Sequence, residues 1–508
     1  MDGAHILGAE FARAINKKYG IKPNDVVSIV AKDKVTDTPG FPSLHLLITD
    51  GALLDVSEVA SGLIGGVPII TLDKADGETT TLEDLLRQVQ PGVATFDLNS
   101  HEDAEAHDAF INRTSGSTGT MKSVLISHGH YIAALEGTLR TIPSSTDPSK
   151  DVWLASSSLG YLINAKLFMS LNILLGIPVV LMPEPLDETS ASIIKRHLIT
   201  FILIFPPLVA KLAKSNLDPE DVSSIKWLLS AGAVVPENLR RAISTKFPTV
   251  ELTLEWGTTE TMLIAIQISD AVSRRPGSSG TLVNGMQARV ISTQTGQDLG
   301  PNEPGEILVR NSLARFRGYK DNVEANREFD EDGWFHTGDY GYIDEDCNVY
   351  IVDRLKELLR VGDGYGSRIS ASELENIIFE HPAVHTVVVV GIWDDISATE
   401  LPTAFVVPQH QYLDRPGSDL AREIEQFVAT KLTGLKSLTG GVYFVDSHPT
   451  TGFKINRRAL KTLNRDPVSR RVVWEDELNK VGCFVPQGGT GDGSVTPIVL
   501  PAGQLITS

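Results

Sequence analysis

Short apolar runs alternate with helix-like segments from Ile6 to about residue 450, and this alternation limits the possible folds more than any other feature. The runs that begin at Val26 and Phe201 are apolar almost throughout, whereas the segment from Thr189 has apolar residues at helical spacing. Apolar runs of this length, separated by helices, are typical of buried parallel strands that are joined by crossover helices. The sequence therefore predicts the α/β class.

The pattern changes twice along the chain. From Gly280 the segments become shorter, alternating and rich in turns, which predicts a β-rich subdomain appended to the α/β region. Near Asp353 a second unit begins, in which helical patterns at Glu373–His381 and Asp419–Leu432 flank two apolar strand patterns. After Arg465 the periodicity is lost, and Gly, Thr and Pro accumulate. We therefore expect a large N-terminal α/β domain at 1–353, a small C-terminal α+β domain at 354–465 and a loose tail at 466–508.

The charge balance and the cysteine count exclude some partners and compartments. The 508 residues include 45 Lys and Arg against 64 Asp and Glu, a formal net charge of −19, and so acidic a surface repels nucleic-acid backbones. We therefore expect no nucleic-acid partner. Two cysteines, Cys347 and Cys483, fit a reducing compartment, and the N-terminal segment lacks the apolar core of a signal peptide. Because the apolar runs are also too short to span a bilayer, we expect a cytoplasmic protein.

Residues 113–123, RTSGSTGTMKS, form the most distinctive local motif. Glycines let a backbone approach an anion closely, and hydroxyls and amides donate hydrogen bonds to phosphate oxygens. A flexible surface turn has the same composition, so the motif alone leaves both interpretations open. A P-loop requires a Gly-Lys pair, whereas Met121 precedes Lys122 here. Phosphate binding by this segment would therefore use a loop of another type.

Four further segments carry candidate binding groups. LEWGTTET contains Glu260, and a carboxylate beside a nucleotide is a suitable ligand for Mg²⁺. GWFHTGD ends at Asp339, whose carboxylate can accept hydrogen bonds from both hydroxyls of a ribose, and VDRLKE contains Arg354, a further donor. TTGFKINRR places Lys454 in a turn that apolar residues border. Taken singly, each segment also fits an ordinary turn or a solvated charge.

Taken in order, these five segments resemble the core motifs of the adenylate-forming superfamily, which comprises acyl- and aryl-CoA synthetases, adenylation domains and luciferases. The chain is most similar to the 4-coumarate–CoA ligase-like branch, and the resemblance covers roughly Leu44 to Leu460. It implies a large α/β domain followed by a small mobile domain, with ATP, Mg²⁺ and coenzyme A as co-substrates. It also implies two half-reactions, in which a carboxylic acid becomes acyl-AMP and a thiol then takes the acyl group.

The resemblance implies roles for the residues at matching positions. Those at the ATP phosphates are Thr114, Ser115, Gly116, Ser117, Thr118, Gly119 and Lys122. In the rest of the nucleotide site they are Gly232 and Ala233 beside the adenine and the acyl pocket, Trp256 against the adenine, Gly257, Thr259 at the α-phosphate, Glu260 at Mg²⁺, and Asp339 and Arg354 at the ribose. Lys356 would lie at the hinge, and Lys454 would bridge the attacking carboxylate and the α-phosphate, which makes Lys454, Thr259 and Glu260 the implied catalytic residues. The coenzyme A tunnel would include Gly366 and Arg368, and the acyl pocket Tyr161, Leu162, Val234, Met262 and Leu263.

The sequence departs from the family's pattern in several places. Between Lys32 and Ser43 it lacks a strand and helices that are usual in the family, so we expect a shortened amino-terminal part. The phosphate loop has Met121–Ser123 in place of Pro-Lys-Gly, but it keeps the lysine, and we expect phosphate binding to be retained. Glu255 stands where glycine is commoner, and SSLGY at 157–161 replaces an aromatic-His segment. Both of the last two changes bear on which acid is bound.

Three functions remain open at this point. The first is an ATP-dependent ligase that joins an apolar acid to coenzyme A; the second is an adenylating enzyme that passes the acyl group to a carrier-protein thiol in trans or to an amine; the third is a non-catalytic remnant. The candidate pocket segments Ser157–Phe168, Ser230–Pro236 and Thr258–Ile266 are mostly apolar, with Lys166 and Glu260 as their only fully ionised side chains. Because a buried unpaired charge is costly, we expect an aryl or medium-chain fatty acid.

Overall fold

A computed structural model provides the structure of this chain. It describes residues 18–19, 26–30, 44–49, 54–63, 65–71, 80–81, 84, 100–115, 121–156, 161–182, 190–215, 217–233, 235, 237–268, 275–362, 367–432, 434–451 and 454–473. The chain divides into two compact units: the first comprises Met1–Thr337 and Gly341–Ile351, and the second comprises Gly338–Tyr340 and Val352–Ser508.

Four parallel strands form the first sheet of the first unit, in the order β1-β2-β3-β4. They are β1 Val26–Val30, β2 Leu44–Thr49, β3 Ile69–Thr71 and β4 Thr80–Thr81, and helix α1, Leu54–Leu63, lies between β2 and β3 in the chain. Leu46, Leu47 and Ile70 are fully buried, as apolar runs in parallel strands should be. We expect the amino-terminal part to be shortened between Lys32 and Ser43, and this segment lies outside the described residues.

An antiparallel hairpin follows, and it carries the RTSGSTGTMKS motif. Its elements are α2 His101–Ala106, β5 Asp108–Ser115, β6 Met121–Ser127 and α3 His128–Leu139. Ser127 ends the hairpin and begins the helix, because its side chain accepts a hydrogen bond from the His130 amide at 3.1 Å. Buried Val124 and Ile126 fix which face of the hairpin points inward.

A seven-stranded sheet forms the centre of the first unit, in the order β13-β12-β11-β10-β9-β7-β8. The strands are β7 Trp153–Ala155, β8 Val179–Leu181, β9 Phe201–Ile204, β10 Trp227–Ala231, β11 Glu251–Trp256, β12 Ala265–Ile266 and β13 Thr281–Leu282. Strands β7 to β11 pair in parallel, and β12 and β13 add antiparallel strands at one side. Ligands of open α/β sheets bind beyond the carboxyl ends of the parallel strands, so the segments after β10 and β11 are the expected site.

Helices separate the strands of this sheet along the chain. They are α4 Leu162–Ala165, a π-helical stretch Lys166–Leu171, α5 Asn172–Leu175, α6 Ala191–His197, α7 Pro206–Lys214 and α8 Glu237–Lys246, with a 3₁₀ turn at Pro219–Val222. Leu167 and Phe168 pack against Trp153, Phe201 and other aromatic and aliphatic residues of the sheet. The alternation of strands and helices confirms the predicted α/β class.

The predicted β-rich subdomain is a four-stranded sheet in the order β14-β15-β16-β17. Its strands are β14 Met286–Ile291, β15 Gly305–Asn311, β16 Phe335–Ile343 and β17 Val349–Arg354, and a 3₁₀ turn lies at Ala325–Glu328. Along β16, buried residues alternate with partly exposed ones, which is the pattern of a sheet that covers a core with one face.

The second unit is a compact α+β structure, as the sequence predicts. Its elements are β18 Leu359–Arg360, β19 Arg368–Ile369, α9 Ala371–Phe379, β20 Val384–Asp394, β21 Thr399–Pro408, α10 Gly417–Lys431, β22 Gly441–Phe444, β23 Thr450–Thr451, β24 Lys454–Ile455, α11 Arg457–Lys461, β25 Asn464–Arg465 and β26 Val472–Val473, with 3₁₀ turns at His410–Tyr412 and Gly434–Lys436. Buried Leu374 and Ile378 of α9 and Ile424 of α10 form one core with Val389 and Val442 of the sheet.

Part of the segment that we assigned to a loose tail belongs to the second unit. Val472–Val473 pairs antiparallel with Asn464–Arg465, and the Asp466 side chain accepts hydrogen bonds within the turn that joins them. The remainder of the predicted tail, from residue 474, lies outside the described residues. No helix in the described part of the chain is both long and apolar enough to cross a membrane.

Candidate active site

The hairpin of β5 and β6 places the first predicted phosphate-binding residues. Thr114 lies opposite Lys122 in its register, and Ser115 lies opposite Met121. The tip, with Gly116, Ser117, Thr118 and Gly119, and the side chain of Ser115 lie outside the described residues. The hairpin therefore holds Lys122 directly across from Thr114, at the base of the predicted loop.

Lys122 and Glu260, both predicted from sequence, belong to one network of side chains. The Lys122 ammonium forms an ion pair with Glu328 and lies 4.6 Å from the centre of the Tyr319 ring. The Tyr319 hydroxyl is 2.7 Å from Glu260 Oε1 and 2.5 Å from Glu328 Oε2. We call these four residues the Lys122 network. It joins the phosphate hairpin to the carboxylate that was predicted to bind Mg²⁺.

Tyr319 links the two carboxylates of this network through its hydroxyl hydrogen. Burial first, and then the neighbouring Glu260 and Glu328 carboxylates, raise the pKa of the Tyr319 hydroxyl far above its usual value. The phenol therefore remains a donor, and the two carboxylates share it. Sequence reasoning did not assign Tyr319 or Glu328 to the site. The GY pair that ends the FRGY stretch was a signal for Tyr319, whereas Glu328 has no local signature.

A tight turn after β11 presents Thr259 and Glu260. The Thr258 amide donates to Thr261 Oγ1 at 3.1 Å, and the Met262 amide donates to the Thr258 carbonyl at 2.8 Å. Gly257 is required here because a Cβ at that position would lie 2.3 Å from the Met262 carbonyl oxygen. Glu260 is buried and Thr259 is half-buried.

The buried side chain of His130 contacts the backbone of this turn. Its Nε2 lies 3.2 Å from the Thr261 carbonyl oxygen, and its Nδ1 is buried without a hydrogen-bond partner among the described residues. Burial lowers the pKa of the imidazole from 6.5 to about 4. Neutral His130 therefore connects the start of α3, which follows the phosphate hairpin, to the turn that bears Glu260.

The predicted adenine contacts lie at the ends of β10 and β11. Gly232 has a φ of 88°, and a Cβ added to it would lie 3.3 Å from the Phe205 ring, so the position favours glycine. Gly232 and Ala233 are exposed at the carboxyl end of the strand, and Val234 lies outside the described residues. Trp256, predicted to contact the adenine, is buried in a cluster that includes Ile264 and Met286 and is only 8 % exposed.

The described acyl-pocket residues fall in two core clusters. Leu162 and Met262 are buried in one cluster, and Leu263 is buried in another, while half-buried Tyr161 has its ring 6.3 Å from that of Phe205. Near them lies an ion pair that sequence reasoning missed.

The Lys166 ammonium is 2.8 Å from Glu255 Oε1, and both side chains are only 1 % exposed. Lys166 appeared in the sequence as an isolated charge in an apolar segment. Its partner lies 89 residues away, so no local pattern could reveal the pair.

In the second unit, Asp339 and Arg354, the two residues that were predicted to hold the ribose, are in contact. Arg354 Nε lies 2.5 Å from Asp339 Oδ1, and Asp339 is buried while Arg354 is exposed. Asp353, which was not predicted, organises the following turn: its carboxylate accepts hydrogen bonds from the Arg354 amide at 2.8 Å and from the Ser370 hydroxyl at 2.8 Å. The predicted hinge residue Lys356 is exposed in that turn.

The turn that bears Lys454 is anchored by its neighbour Arg457. The backbone of Lys454 pairs with Thr451 in the β23–β24 hairpin, and its side chain lies outside what the structure describes. Two residues after the hairpin, Arg457 donates to Glu375 Oε1 at 2.5 Å and to the Val389 carbonyl at 2.7 Å. Of the two predicted tunnel residues, Arg368 is exposed on β19, and Gly366 lies outside the described residues.

Comparison with known proteins decides the family. The family model described as "AMP-binding enzyme" matches residues 43–320, and the one described as "AMP-binding enzyme C-terminal domain" matches residues 373–453. The chain belongs to the AMP-binding enzyme family. The first match covers every member of the Lys122 network except Glu328, and Lys454 directly follows the second.

The relatives of this AMP-binding family member include two kinds of named enzyme. Luciferin 4-monooxygenase of Nipponoluciola cruciata is 32% identical over 395 residues, which are 76% of this chain and 69% of the relative. 4-Coumarate–CoA ligase 3 of Oryza sativa subsp. japonica is 30% identical over 410 residues, 78% of this chain and 70% of the relative. The crystal structure of ATP-bound MatB from Rhodopseudomonas palustris has a TM-score of 0.75 at 23% identity and covers 90% of this chain and 92% of its own, which shows a shared fold.

Proposed function

We propose that this AMP-binding enzyme is an ATP-dependent acid–thiol ligase, which activates an apolar aryl or medium-chain carboxylic acid as acyl-AMP and transfers the acyl group to coenzyme A. The observation that carries the proposal is the Lys122 network, because it connects a hairpin suited to phosphate with a buried carboxylate suited to a metal ion. The relatives named 4-coumarate–CoA ligase support an aryl acid and coenzyme A as the other substrates.

The residues present fit Mg²⁺ bound together with ATP. Among the described residues, no group of three or more His, Cys, Asp and Glu side chains could hold a metal by itself. Mg²⁺ in nucleotide sites commonly takes only one or two carboxylates and completes its shell with phosphate oxygens and water. Glu260 would supply that carboxylate, and Mg²⁺ would neutralise charge on the phosphates.

In the proposed first half-reaction, a carboxylate oxygen of the acid attacks the α-phosphorus, the bond to the bridging oxygen breaks, and pyrophosphate leaves. Lys122 would exchange its ion pair with Glu328 for phosphate oxygens, because an ammonium favours the more concentrated negative charge. Thr259 would contact the α-phosphate, and Lys454 would stabilise the charge that develops there.

In the proposed second half-reaction, the coenzyme A thiolate attacks the acyl carbonyl carbon of acyl-AMP, and AMP leaves with the electron pair of the broken anhydride bond. Asp339 and Arg354 would hold the ribose through both steps, and Lys356 would lie at the hinge about which the small domain turns. Arg368 and Gly366 would line the entry for the thiol.

A pyrophosphate-release assay with and without coenzyme A tests the proposal. A panel of cinnamic, benzoic, phenylacetic and medium-chain fatty acids is supplied with ATP and Mg²⁺, and acyl-CoA is followed by mass spectrometry. We expect slow release without coenzyme A and sustained turnover with acyl-CoA formation when it is present. Turnover that requires an amine or a carrier-protein thiol would support the second interpretation instead, and no release with any acid would indicate a non-catalytic remnant.

A further inference from the structure

The buried ion pair of Lys166 and Glu255 lies where the three predicted acyl-pocket segments meet. In the parallel pairing of β10 and β11, Glu255 is opposite Ala231, and in the antiparallel pairing of β11 and β12 it is opposite Ile266. The third neighbour of Glu255 is Lys166 of the π-helical stretch, whose ammonium is 2.8 Å from Glu255 Oε1. Each of these three neighbours belongs to a different predicted segment, and Glu255 is at the carboxyl end of a central strand.

One oxygen of this carboxylate is left without a partner. Glu255 Oε2 is buried and accepts no hydrogen bond from the described part of the chain, although the side chain is only 1 % exposed. Buried polar atoms are nearly always hydrogen-bonded, and an orphan acceptor costs stability. A buried ion pair can often be replaced by apolar residues without loss of stability, so folding alone does not require Lys166 and Glu255 here.

We propose that Glu255, neutralised by Lys166, accepts a hydrogen bond from a neutral donor, a hydroxyl or an uncharged amine, on the part of the acid remote from its carboxylate. This specificity role rests on the proposed function. It adds one polar contact to a pocket that is otherwise apolar, and it makes Glu255 a specificity-determining residue.

The charges of the pair decide which donor is accepted. Glu255 and Lys166 together carry no net charge, so the site has no excess negative charge to offset the desolvation of an ammonium group. An anionic substituent would place a second negative charge beside Oε2. A neutral hydroxyl or aryl amine satisfies the free lone pair without either cost, and the methyl isostere of such a group would leave Oε2 buried and unpaired.

The proposal is tested by the ratio of kcat/KM for paired acids in the pyrophosphate-release assay. The pairs are the 2-, 3- and 4-hydroxycinnamic acids, each with the methylcinnamic acid of the same substitution pattern. A hydrogen bond to a charged group is worth about 10- to 150-fold in this ratio, so we expect one hydroxylated acid to exceed its methyl isostere by that factor. A ratio near one for every pair in the unmodified protein would overturn the proposal without any variant.

A double variant, Glu255→Leu with Lys166→Met, removes the acceptor and its partner together, which avoids leaving one buried charge unpaired. We expect its ratio to fall to about one, because the hydroxylated acid loses its hydrogen bond to a charged group and the methyl isostere has none to lose. The matched control is Asp151→Asn with Lys226→Met, which removes another ion pair of the first unit, 2.6 Å long, and should leave the ratio unchanged.

Persistence of the preference in the Glu255 double variant would also contradict the proposal. The outcome is distinguishable from failure of the proposed function. If methylated and hydroxylated acids are both activated equally, only the specificity role of Glu255 is wrong. Activation of fatty acids alone would contradict the role of Glu255 and leave the ligase activity intact. If the unmodified protein activates no acid of the broader cinnamic, benzoic, phenylacetic and fatty acid panel, the proposed ligase activity itself is wrong.

Discussion

Acidification should destabilise this protein through His130. The imidazole is buried between the start of α3 and the turn that bears Glu260, and its Nε2 is 3.2 Å from the Thr261 carbonyl oxygen. A second proton would have to go on Nδ1, which is buried without a hydrogen-bond partner among the described residues. The folded state therefore resists protonation, and the pKa of His130 falls from 6.5 to about 4.

The size and sign of the effect follow from this pKa. Between pH 6.5 and about 4 the unfolded chain binds a proton at His130 that the folded chain does not, so the free energy of unfolding decreases as the pH falls. The full difference is about 3 kcal/mol at strongly acidic pH, and about 2 kcal/mol of it is lost between about pH 7 and pH 5. That loss is a substantial share of the stability of a typical domain.

Urea unfolding of the unmodified protein and of His130→Gln, each measured at about pH 7 and at about pH 5, gives the contribution of His130 to the free energy of unfolding. The glutamine keeps a donor for the Thr261 carbonyl but cannot titrate, so its loss of stability on acidification should be smaller by about 2 kcal/mol. His336→Gln is the control of opposite sign, because the hydrogen bond that the His336 ring donates to the Glu306 carboxylate raises the pKa of His336, and its folded form gains from protonation. Equal acid sensitivity of the unmodified protein and His130→Gln would refute the reasoning.

Three further outcomes test the site. Lys454→Ala should abolish acyl-AMP formation but spare thiolation of supplied acyl-AMP, and an equal loss of both half-reactions would refute its assigned role. Asp339→Ala should weaken ATP binding by about 1.5–3 kcal/mol, roughly ten- to hundredfold by calorimetry, without changing which acids are accepted; unchanged affinity would contradict the ribose contact. Tyr319→Phe should lower the free energy of unfolding by about 1–3 kcal/mol because two carboxylates lose their shared donor; an unchanged urea midpoint would show that the hydroxyl contributes nothing.

The elements that could be read from the sequence are those with strong local patterns. Apolar runs between helical patterns predict parallel strands, so β1, β2 and β9 could be predicted directly from the sequence. The first helix of the second unit begins one residue after Ser370, whose side chain accepts from the Glu373 amide at 3.1 Å, and a serine three residues before a glutamate is a known start signal. The motifs also led to Lys122, Glu260, Asp339 and Arg354.

The contacts that complete the site could not be read in this way, because they join distant parts of the chain. Lys122 and Glu328 are 206 residues apart, and Tyr319 and Glu260 are 59 apart. Lys166 was visible only as a lysine in an apolar segment, a pattern that does not tell a buried ion pair from a long side chain that reaches solvent. Pairings of this kind depend on how the sheet brings its strand ends together. No local pattern in a single sequence predicts which strand ends will meet.

Transfer of ¹⁸O from the acid to AMP tests the central claim most directly. A carboxylic acid that the enzyme activates is labelled in both carboxylate oxygens and incubated with ATP, Mg²⁺ and coenzyme A, and the AMP and the thioester are analysed by mass spectrometry. If the acid attacks the α-phosphorus, one ¹⁸O atom appears in each AMP and the other stays in the acyl-CoA. Unlabelled AMP, or label in inorganic phosphate together with ADP, would contradict the acyl-AMP route.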